Sequence, residues 1–590
     1  MDYEQSPSPS TNACLFDGNM ASSIHITDLE VEILADIFEI VNDESPRTTP
    51  SIAQVNRYFK SAVRLVQYRR ETLKWSPTLK QFVTEADQPL MDLFSSDRLR
   101  GLRHLTITKG GAIEALVSSD ATTGLKELLS AVTNLKSLTY KTGRYPPPEI
   151  ICTLQEKHPR ANLRVYDVDK PQNQYDEVPS LEAKYLAQSC VSAFAMEVGY
   201  RHHHIDDEHR DFERIVSNAV QLKSASLTSF GITTHRIRNW TAIPIQGKPS
   251  TSLRHLSLDG WPVSAETLNY WARYVDLACL ETFACTRGPL SASYFVMAAD
   301  VLRNLKHVSL NLSPFTCTED TAKAAEQYIA TCPSLSTLSL WSWMGKVSLS
   351  TILGQHGPTL QDLQLHMREE EIQNEYRTLK LQEIKLVHYS CPKLKRFTFD
   401  LERQSNDLKV EDYKDILDEI KQFNLEHLQI YFDSGLSYMM NMEPNGYADA
   451  DEDEIFDGDS DYEYDDVPNR CGGGLGSSTV EPLEFPVGLE ESTVLILYPP
   501  SSTKNIQRFT HGVWNHVFGQ RTTGVRQLDL KFGEWERKVM PVPYRPDGHV
   551  QQDLRVWCVA KPHDRDDRKG QSQAVLKCCQ GKHWEKFTTG

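Results

Sequence analysis

One short phrase of alternating leucines recurs along the chain and constrains its fold more than any other feature. The phrase reads Leu-x-x-Leu-x-Leu, with Phe, Val, Ile, Ala or Cys in some leucine positions. Its copies begin at Leu102, Leu135, Leu222, Leu253, Leu280, Leu305, Leu335, Leu360, Leu394 and Leu425. From Leu222 onward the copies recur at intervals of 25 to 34 residues, and each interval holds one predicted helix. A repeat of this length predicts a solenoid in which each unit consists of a strand, a helix and a connection back to the next strand.

Side-chain alternation within the phrase predicts which residues are buried. In a strand, positions 4 and 6 of the phrase point into a core, whereas positions 3, 5 and 7 point outward. One such strand cannot bury its apolar face alone, but strands stacked in a parallel sheet with helices on the other side can. The sequence therefore predicts an α/β fold with an outward strand face, on which position 5 is nearly always small and polar.

The phrase resembles the leucine-rich repeat over about residues 102–433. Many repeats of that family have Asn or Cys at position 9, where this chain has residues such as Gly110, Trp261 and Arg368. Because position 9 departs from the pattern of that family, we expect the repeats to form an irregular arc and not a uniform horseshoe.

Two amphipathic helices are predicted before the repeats. The first places Ile26, Leu29, Ile33, Leu34, Ile37, Phe38 and Val41 on one face, after a capping box of Thr27 and Glu30. The second, starting at Thr49-Pro50, places Ile52, Val55, Phe59, Ala62, Val63 and Val66 on one stripe. Two short helices make a small core, so a partner surface could complete their burial.

This helical segment, from Ile24 to Tyr68, resembles the F-box. That family opens with leucine-proline-x-glutamate-isoleucine-leucine and then x-x-isoleucine-phenylalanine, which residues 29–38 match except that Glu30 replaces the proline. A later apolar-x-x-valine-x-arginine-x-aromatic run is matched by Ile52, Val55, Arg57, Tyr58 and Phe59. An F-box followed by leucine-rich repeats is the arrangement of the F-box/leucine-rich-repeat family. The alternative is that the helices only cap the open end of the solenoid.

The resemblance implies a non-catalytic substrate receptor of an SCF-type cullin-RING ubiquitin ligase. In that family the F-box docks on the adaptor, which joins it to the cullin scaffold, and the repeats hold a target protein for ubiquitination by another enzyme. The family's docking and core positions correspond to Leu29, Ile33, Leu34, Ile37, Phe38, Val55 and Phe59. A repeat scaffold without any link to ubiquitination is the alternative function, and an enzyme built from the C-terminal region is a third.

The outward strand face predicts a binding surface for an unidentified target protein. Histidine recurs at position 3, and tryptophans follow two of the strands as candidate anchors. The candidate target-binding residues are His104, His255, Trp261, His307, Trp341, Trp343 and Arg396. The other interpretation is that these tryptophans pack under loops.

Composition shifts divide the chain into five predicted segments. These are a disordered N-terminus (1–22), an F-box (23–76), a solenoid (77–435), an acidic disordered insertion (436–482), and a final repeat with a C-terminal cap (483–590). The insertion contains 11 acidic residues and no Lys or Arg between Asp449 and Asp466, so most of the net charge of −17 arises there.

Several function classes are not expected. The sequence has no basic stripe for nucleic acid, no apolar run that spans a membrane and no signal peptide at its start, which predicts a cytoplasmic or nuclear protein. Its 12 cysteines lack any C-x-x-C pair and are expected to be reduced thiols. No cofactor or metal is expected: adjacent side chains in the run His202–His209 fan out instead of converging, and the calcium-like run at Asp457 lacks the required glycine and glutamate.

Overall fold

The structure of the chain is a computed structural model that describes most of the repeats and the N-terminal helices. The described residues are 26, 29–44, 48–76, 81–84, 96–109, 119–169, 181–199, 210–230, 252–312, 317–343, 345–367, 378–402, 408–432, 503–519, 527–532, 554–560, 574–580 and 583–585. The segments predicted to be disordered, residues 1–22 and 436–482, lie outside these ranges, as do the histidine run at 202–209 and Thr27 of the predicted capping box.

The chain divides into two compact units, of which the first comprises Met1–Phe230 and Ile243–Leu253. Its helices are α1 (Val31–Glu44), α2 (Thr48–Ile52), α3 (Arg57–Gln67), α4 (Ser96–Gly101), α5 (Ser119–Ala131), α6 (Pro148–Lys157), α7 (Leu181–Ala187) and α8 (Arg210–Asn218). Its strands are β1 (Arg70–Ser76), β2 (Gln81–Thr84), β3 (His104–Thr108), β4 (Ser137–Lys141), β5 (Asn162–Asp169), β6 (Val191–Gly199) and β7 (Ser224–Phe230). β1 and β3 through β7 pair in parallel in chain order, and β2 pairs antiparallel with β1.

The second unit comprises Gly231–Ala242 and Arg254–Gly590. Its strands are β8 (His255–Asp259), β9 (Thr282–Cys285), β10 (His307–Asn311), β11 (Thr337–Trp341), β12 (Asp362–His366), β13 (Arg396–Leu401), β14 (His427–Phe432), β15 (Gln527–Phe532), β16 (Leu554–Ala560), β17 (Ala574–Gln580) and β18 (His583–Glu585). Its helices are α9 (Ala265–Trp271), α10 (Ala292–Val301), α11 (Glu319–Thr331), α12 (Leu349–His356), α13 (Leu381–Ser390), α14 (Lys414–Ile420) and α15 (Thr503–Val517), with 3₁₀ turns at Leu277–Cys279 and Val410–Tyr413. β8 through β15 pair in parallel, and the last three strands continue antiparallel.

The leucine positions of the phrases form the core of each unit. From β3 to β15, the side chains at positions 4 and 6 are no more than 3% exposed, from Leu105 and Ile107 to Leu528 and Leu530. Consecutive helices pack against one another beside these strands. The prediction of an α/β fold with mostly parallel strands in a strand–helix repeat is confirmed.

A repeated carbonyl contact sets the register of neighbouring strands. The carbonyl oxygen at position 2 of one phrase accepts two N–H groups from the next, those of positions 2 and 3. Arg254 O, for example, accepts from Glu281 N at 2.8 Å and from Thr282 N at 2.9 Å. The same arrangement recurs at Lys306 O and Gln361 O, so each strand joined in this way starts level with the one before it.

The predicted second N-terminal helix is wrong in one respect, because the structure divides it into α2 and α3. The backbone turns between Ala53 and Asn56, where the Asn56 side chain accepts the Phe59 N–H at 2.7 Å and caps a new helix. Leu34 and Phe38 of α1 pack against Ala62 and Val66 of α3, forming a small hydrophobic core of their own.

Candidate interaction surfaces

Helix α1 presents two apolar stripes, of which only one reaches the helical core. Leu34 and Phe38 are buried, and the Phe38 ring meets Phe59 edge-on at 5.4 Å between centroids. Ile33, Ile37 and Ile40, spaced at i, i+4 and i+7, are 46%, 38% and 62% exposed. That spacing places the three isoleucines on a single side of the helix. We call them the isoleucine stripe.

The seven predicted adaptor-docking residues therefore separate into two groups. Ile33 and Ile37 lie in the isoleucine stripe, and Val55 is 66% exposed in the turn between α2 and α3. The remaining four are buried or half-buried in the helical core: Leu29, Leu34, Phe38 and Phe59. Sequence analysis missed Ile40 because the predicted apolar face of α1 was centred on the residues that pack into the core. The i, i+4, i+7 spacing of the three isoleucines was nevertheless visible in the sequence.

The N-terminal helices are held to the sheet of the first unit by buried charge. The Arg69 guanidinium, nearly inaccessible to solvent, lies 2.5 Å from a carboxylate oxygen of Asp36 and 2.5 Å from one of Glu39. Partial burial works to raise the pKa of Asp36, but hydrogen bonding and charge from Arg69 outweigh it and the pKa is lowered. A second ion pair joins Arg100 of α4 to Glu32, whose pKa this hydrogen bond also lowers.

Histidines at position 3 form a repeated side-chain contact across neighbouring strands. Nδ1 of His255 lies 2.8 Å from Thr282 Oγ1, and Nδ1 of His307 lies 2.9 Å from Thr337 Oγ1. In the first unit, Nδ1 of His104 lies 2.8 Å from Ser137 Oγ. Burial lowers the pKa of both His104 and His307, so neutral imidazoles are favoured at these positions.

Arg396 also lies on the outward face, where it pairs with an acid. Its Nε is 3.0 Å from Asp362 Oδ2, and the two residues occupy the same register position on β13 and β12. Burial raises the pKa of Asp362 although Arg396 opposes it. The structure thus places His104, His255, His307 and Arg396 at outward strand positions, as predicted.

The prediction of exposed tryptophan anchors needs correction at two of three positions. Trp261 and Trp343 are only 4% and 3% exposed, and Trp343 Nε1 donates to Val347 O at 2.8 Å. The next repeat covers the backbone of Trp261, since a Cβ placed on Gly288 would lie 1.8 Å from the Trp261 carbonyl oxygen. Trp341 is half-buried and meets the His366 ring edge-on at 5.3 Å.

A polar cluster at the carboxyl ends of β12 to β15 was not predicted. Nδ1 of His366 lies 2.6 Å from Asp400 Oδ1, and both residues are buried. The Tyr431 ring stacks on His366 with centroids 3.6 Å apart, and Lys531 Nζ donates to Tyr431 Oη at 2.7 Å. His366, Asp400 and Tyr431 occupy position 7 of successive phrases, and Lys531 on β15 lies in register with Tyr431. The phrase pattern specifies no residue type at position 7, so it carried no signal for this cluster.

Within the described residues, no group of three or more His, Cys, Asp or Glu side chains could hold a metal ion. Among the described helices, none combines the length and hydropathy needed to cross a bilayer.

Comparison with known families and with curated proteins found no match for this chain. The structure itself defines an α/β repeat protein with a helical N-terminal module. Its outward surfaces are the isoleucine stripe and the polar strand faces.

Proposed function

We propose that the chain is a non-catalytic substrate receptor of an SCF-type cullin-RING ubiquitin ligase. The F-box-like helices dock the adaptor, which links the chain to the cullin scaffold, and the strand faces hold the target protein. Such a receptor would work in the cytoplasm or nucleus.

The isoleucine stripe carries this proposal. Large aliphatic side chains on α1 stay accessible although Leu34 and Phe38, on the adjacent stripe, already pack into the helical core. Burying one such side chain contributes about 1.5–3 kcal/mol, so a partner that covers the stripe gains substantial binding energy. Val55 adds a further exposed apolar side chain in the same helical module.

The attachment of the helices to the sheet supports the same function. Arg69 bonds through its side chain to α1 and through its carbonyl oxygen to the N–H groups of Arg103 and His104. An adaptor bound to α1 would therefore be held in a defined orientation to the strand face of the first unit. A receptor needs such an orientation to present its target to a separate enzyme.

The test is a pull-down of the full-length chain with purified SCF adaptor. The wild type should retain the adaptor, and Ile33→Asp/Ile37→Asp should weaken binding by roughly 100-fold, equivalent to about 3 kcal/mol. These two positions are exposed, so the fold should survive, as circular dichroism can verify. Val220→Asp/Val296→Asp changes two exposed valines that are not part of the N-terminal helices and should leave adaptor binding unchanged.

Two outcomes would contradict the proposal. If the wild-type chain does not bind the adaptor, a repeat scaffold without a link to ubiquitination becomes the better interpretation. If the two double variants weaken binding equally, the stripe is not the docking surface.

A further inference from the structure

Helix α3 carries a line of cations on the side that faces away from the helical core. Arg57, Lys60 and Arg64 are all exposed, and their spacing at i, i+3 and i+7 places them on one side of the helix. Ala62 and Val66, on the opposite side, are buried in the helical core. The helix itself contains no acidic residue. We call the three cations the cationic row.

A fourth cation lies at the carboxyl end of the cationic row. Tyr68, the C-cap residue of α3, follows Arg64 by four positions and so continues the same side of the helix. The guanidinium carbon of Arg98 lies 5.2 Å from the centroid of the Tyr68 ring, which is a cation–π contact. Because a helix rises 1.5 Å per residue, the four positive charges are spread along about 16 Å.

The acids of the neighbouring helix α1 are paired with other cations. Asp36 and Glu39 pair with Arg69, and Glu32 pairs with Arg100. In the part of the chain that the structure describes, no ion pair includes a residue of the cationic row or the cation beside its carboxyl end. The row therefore presents its charges to solvent.

Arg57 occupies a position that is unfavourable for a cation. It is the first residue of α3, directly after the N-cap Asn56, and the amino end of a helix carries partial positive charge. The first turn contains no acid to offset this repulsion. The row is also unusual in a chain with 80 acidic residues against 63 Lys and Arg. Since the stability of the helix does not explain these cations, a role in binding is favoured.

We infer that the cationic row binds a short acidic segment of a partner protein. Arginine forks hold carboxylate oxygens in bidentate pairs, and the lysine ammonium group adds a third donor that can turn toward them. An extended peptide rises about 3.3 Å per residue, so about five residues span the row as far as Arg98. Charge complementarity thus specifies a partner with several carboxylates in close succession.

A protein segment fits this surface better than a nucleic acid does. Single-stranded nucleic acid stacks on accessible aromatic rings. In α3, however, the Phe59 ring packs edge-on against Phe38, and the Tyr58 hydroxyl donates to Leu29 O. Arg98 already lies over the ring of the C-cap tyrosine. The net charge of −17 also disfavours a long polyanion, whereas a short acidic segment meets only the local positive charge.

The experiment measures fluorescence anisotropy of labelled peptides with the full-length chain alone, because this binding does not rest on the proposed ligase function and requires no adaptor. The probes are hexaglutamate and a neutral hexapeptide of alternating glycine and serine. Hexaglutamate should bind with an affinity that falls as salt rises, and the neutral peptide should not bind. Failure of hexaglutamate to bind at low salt would overturn the inference.

Matched variants assign the binding to the cationic row. Arg57→Gln/Lys60→Gln should weaken hexaglutamate binding about tenfold, as expected for the loss of two exposed ion pairs. Lys126→Gln/Arg160→Gln removes the same charge from exposed positions outside the N-terminal helices and should leave binding unchanged. Glutamine has nearly the helix propensity of arginine and lysine, so α3 should persist, as circular dichroism can verify.

Equal weakening in the two double variants would overturn the inference, because net charge alone would then explain binding. It would also be overturned if a single-stranded oligonucleotide or a phosphatidylserine vesicle bound through Arg57 and Lys60 while hexaglutamate did not. Adaptor pull-down with the wild-type chain separates the two proposals. A chain that binds hexaglutamate but no adaptor refutes the ligase function and leaves the inference about the cationic row intact.

Discussion

The buried guanidinium of Arg69 lies 2.5 Å from the Glu39 carboxylate, and this contact joins the N-terminal helices to the first strands of the sheet. The carbonyl oxygen of the same residue accepts the N–H groups of Arg103 and His104 at 2.9 Å and 2.8 Å. One residue therefore connects α1, β1 and β3.

Replacing Arg69 should destabilise the first unit and loosen this connection. Arg69→Ala leaves Glu39 without its buried cation, and we expect a loss of about 2–3 kcal/mol in the free energy of unfolding. Arg100→Ala removes the exposed pair with Glu32 and should cost less than about 1 kcal/mol. Urea unfolding followed by circular dichroism compares the two. Equal losses would show that burial of Arg69 contributes nothing.

Stability should decrease as the pH falls below neutrality. Burial lowers the pKa of His104, His307 and His356 below the ordinary 6.5. The unfolded chain then binds more protons than the folded chain just below pH 6.5. The stabilisation is complete above this pH and is lost as the pH falls toward the folded-state pKa values. The melting temperature should therefore fall between about pH 7 and pH 5.5.

His356 allows a direct check of that cause. Its Nδ1 accepts the Leu335 N–H at 3.2 Å and its Nε2 donates to Ile329 O at 2.9 Å, an arrangement that requires a neutral ring. His356→Gln should lower the melting temperature at pH 7 and reduce its dependence on pH. An unchanged pH dependence would mean that His356 does not contribute to it.

Two glycines should respond oppositely to the same substitution. A Cβ at Gly288 would lie 1.8 Å from Trp261 O, so Gly288→Ala must displace backbone and should cost about 3 kcal/mol or more. A Cβ at Gly354 in α12 meets nothing within 4 Å, so Gly354→Ala should stabilise by about 0.5 kcal/mol. Thermal unfolding of both variants tests the prediction, which fails if Gly288→Ala is neutral.

The cysteines should differ sharply in reactivity. Burial raises the pKa of Cys332 and of Cys391 to about 12, whereas Cys152 is exposed. Because the thiolate is the nucleophile, iodoacetamide at about pH 8 should modify Cys152 and spare both buried thiols. Peptide mass spectrometry reads out the sites. Modification of Cys332 at the same rate as Cys152 would contradict its burial.

Much of the strand framework could be predicted because its signal is local. Positions 4 and 6 of each phrase are filled by apolar residues, most of them large, and alternation alone places them in the core. The phrase pattern missed β1 and β6 of the first unit for a physical reason. Among the β1 side chains whose burial the structure describes, Leu73 alone is apolar and fully buried. β6 buries Phe194, Met196 and Val198 in place of leucines, beside an irregular register with β5.

The surfaces were harder to predict because they depend on register between distant residues. Arg396 and Asp362 are distant in the sequence, and only strand pairing brings their side chains together. The close approach of Gly288 to the Trp261 backbone likewise joins residues of two successive repeats. Ile33 and Leu34 are adjacent on α1, and only packing against α3 decides which one is buried.

Where a carbonyl oxygen accepts two N–H groups from the next strand, the register of the sheet does not depend on the length of the connection between the two strands. Insertions on the helical side leave the next strand anchored at the same level, so neighbouring face residues remain aligned. A chain built this way can acquire a new ligand by exchanging a few outward side chains while its architecture stays unchanged.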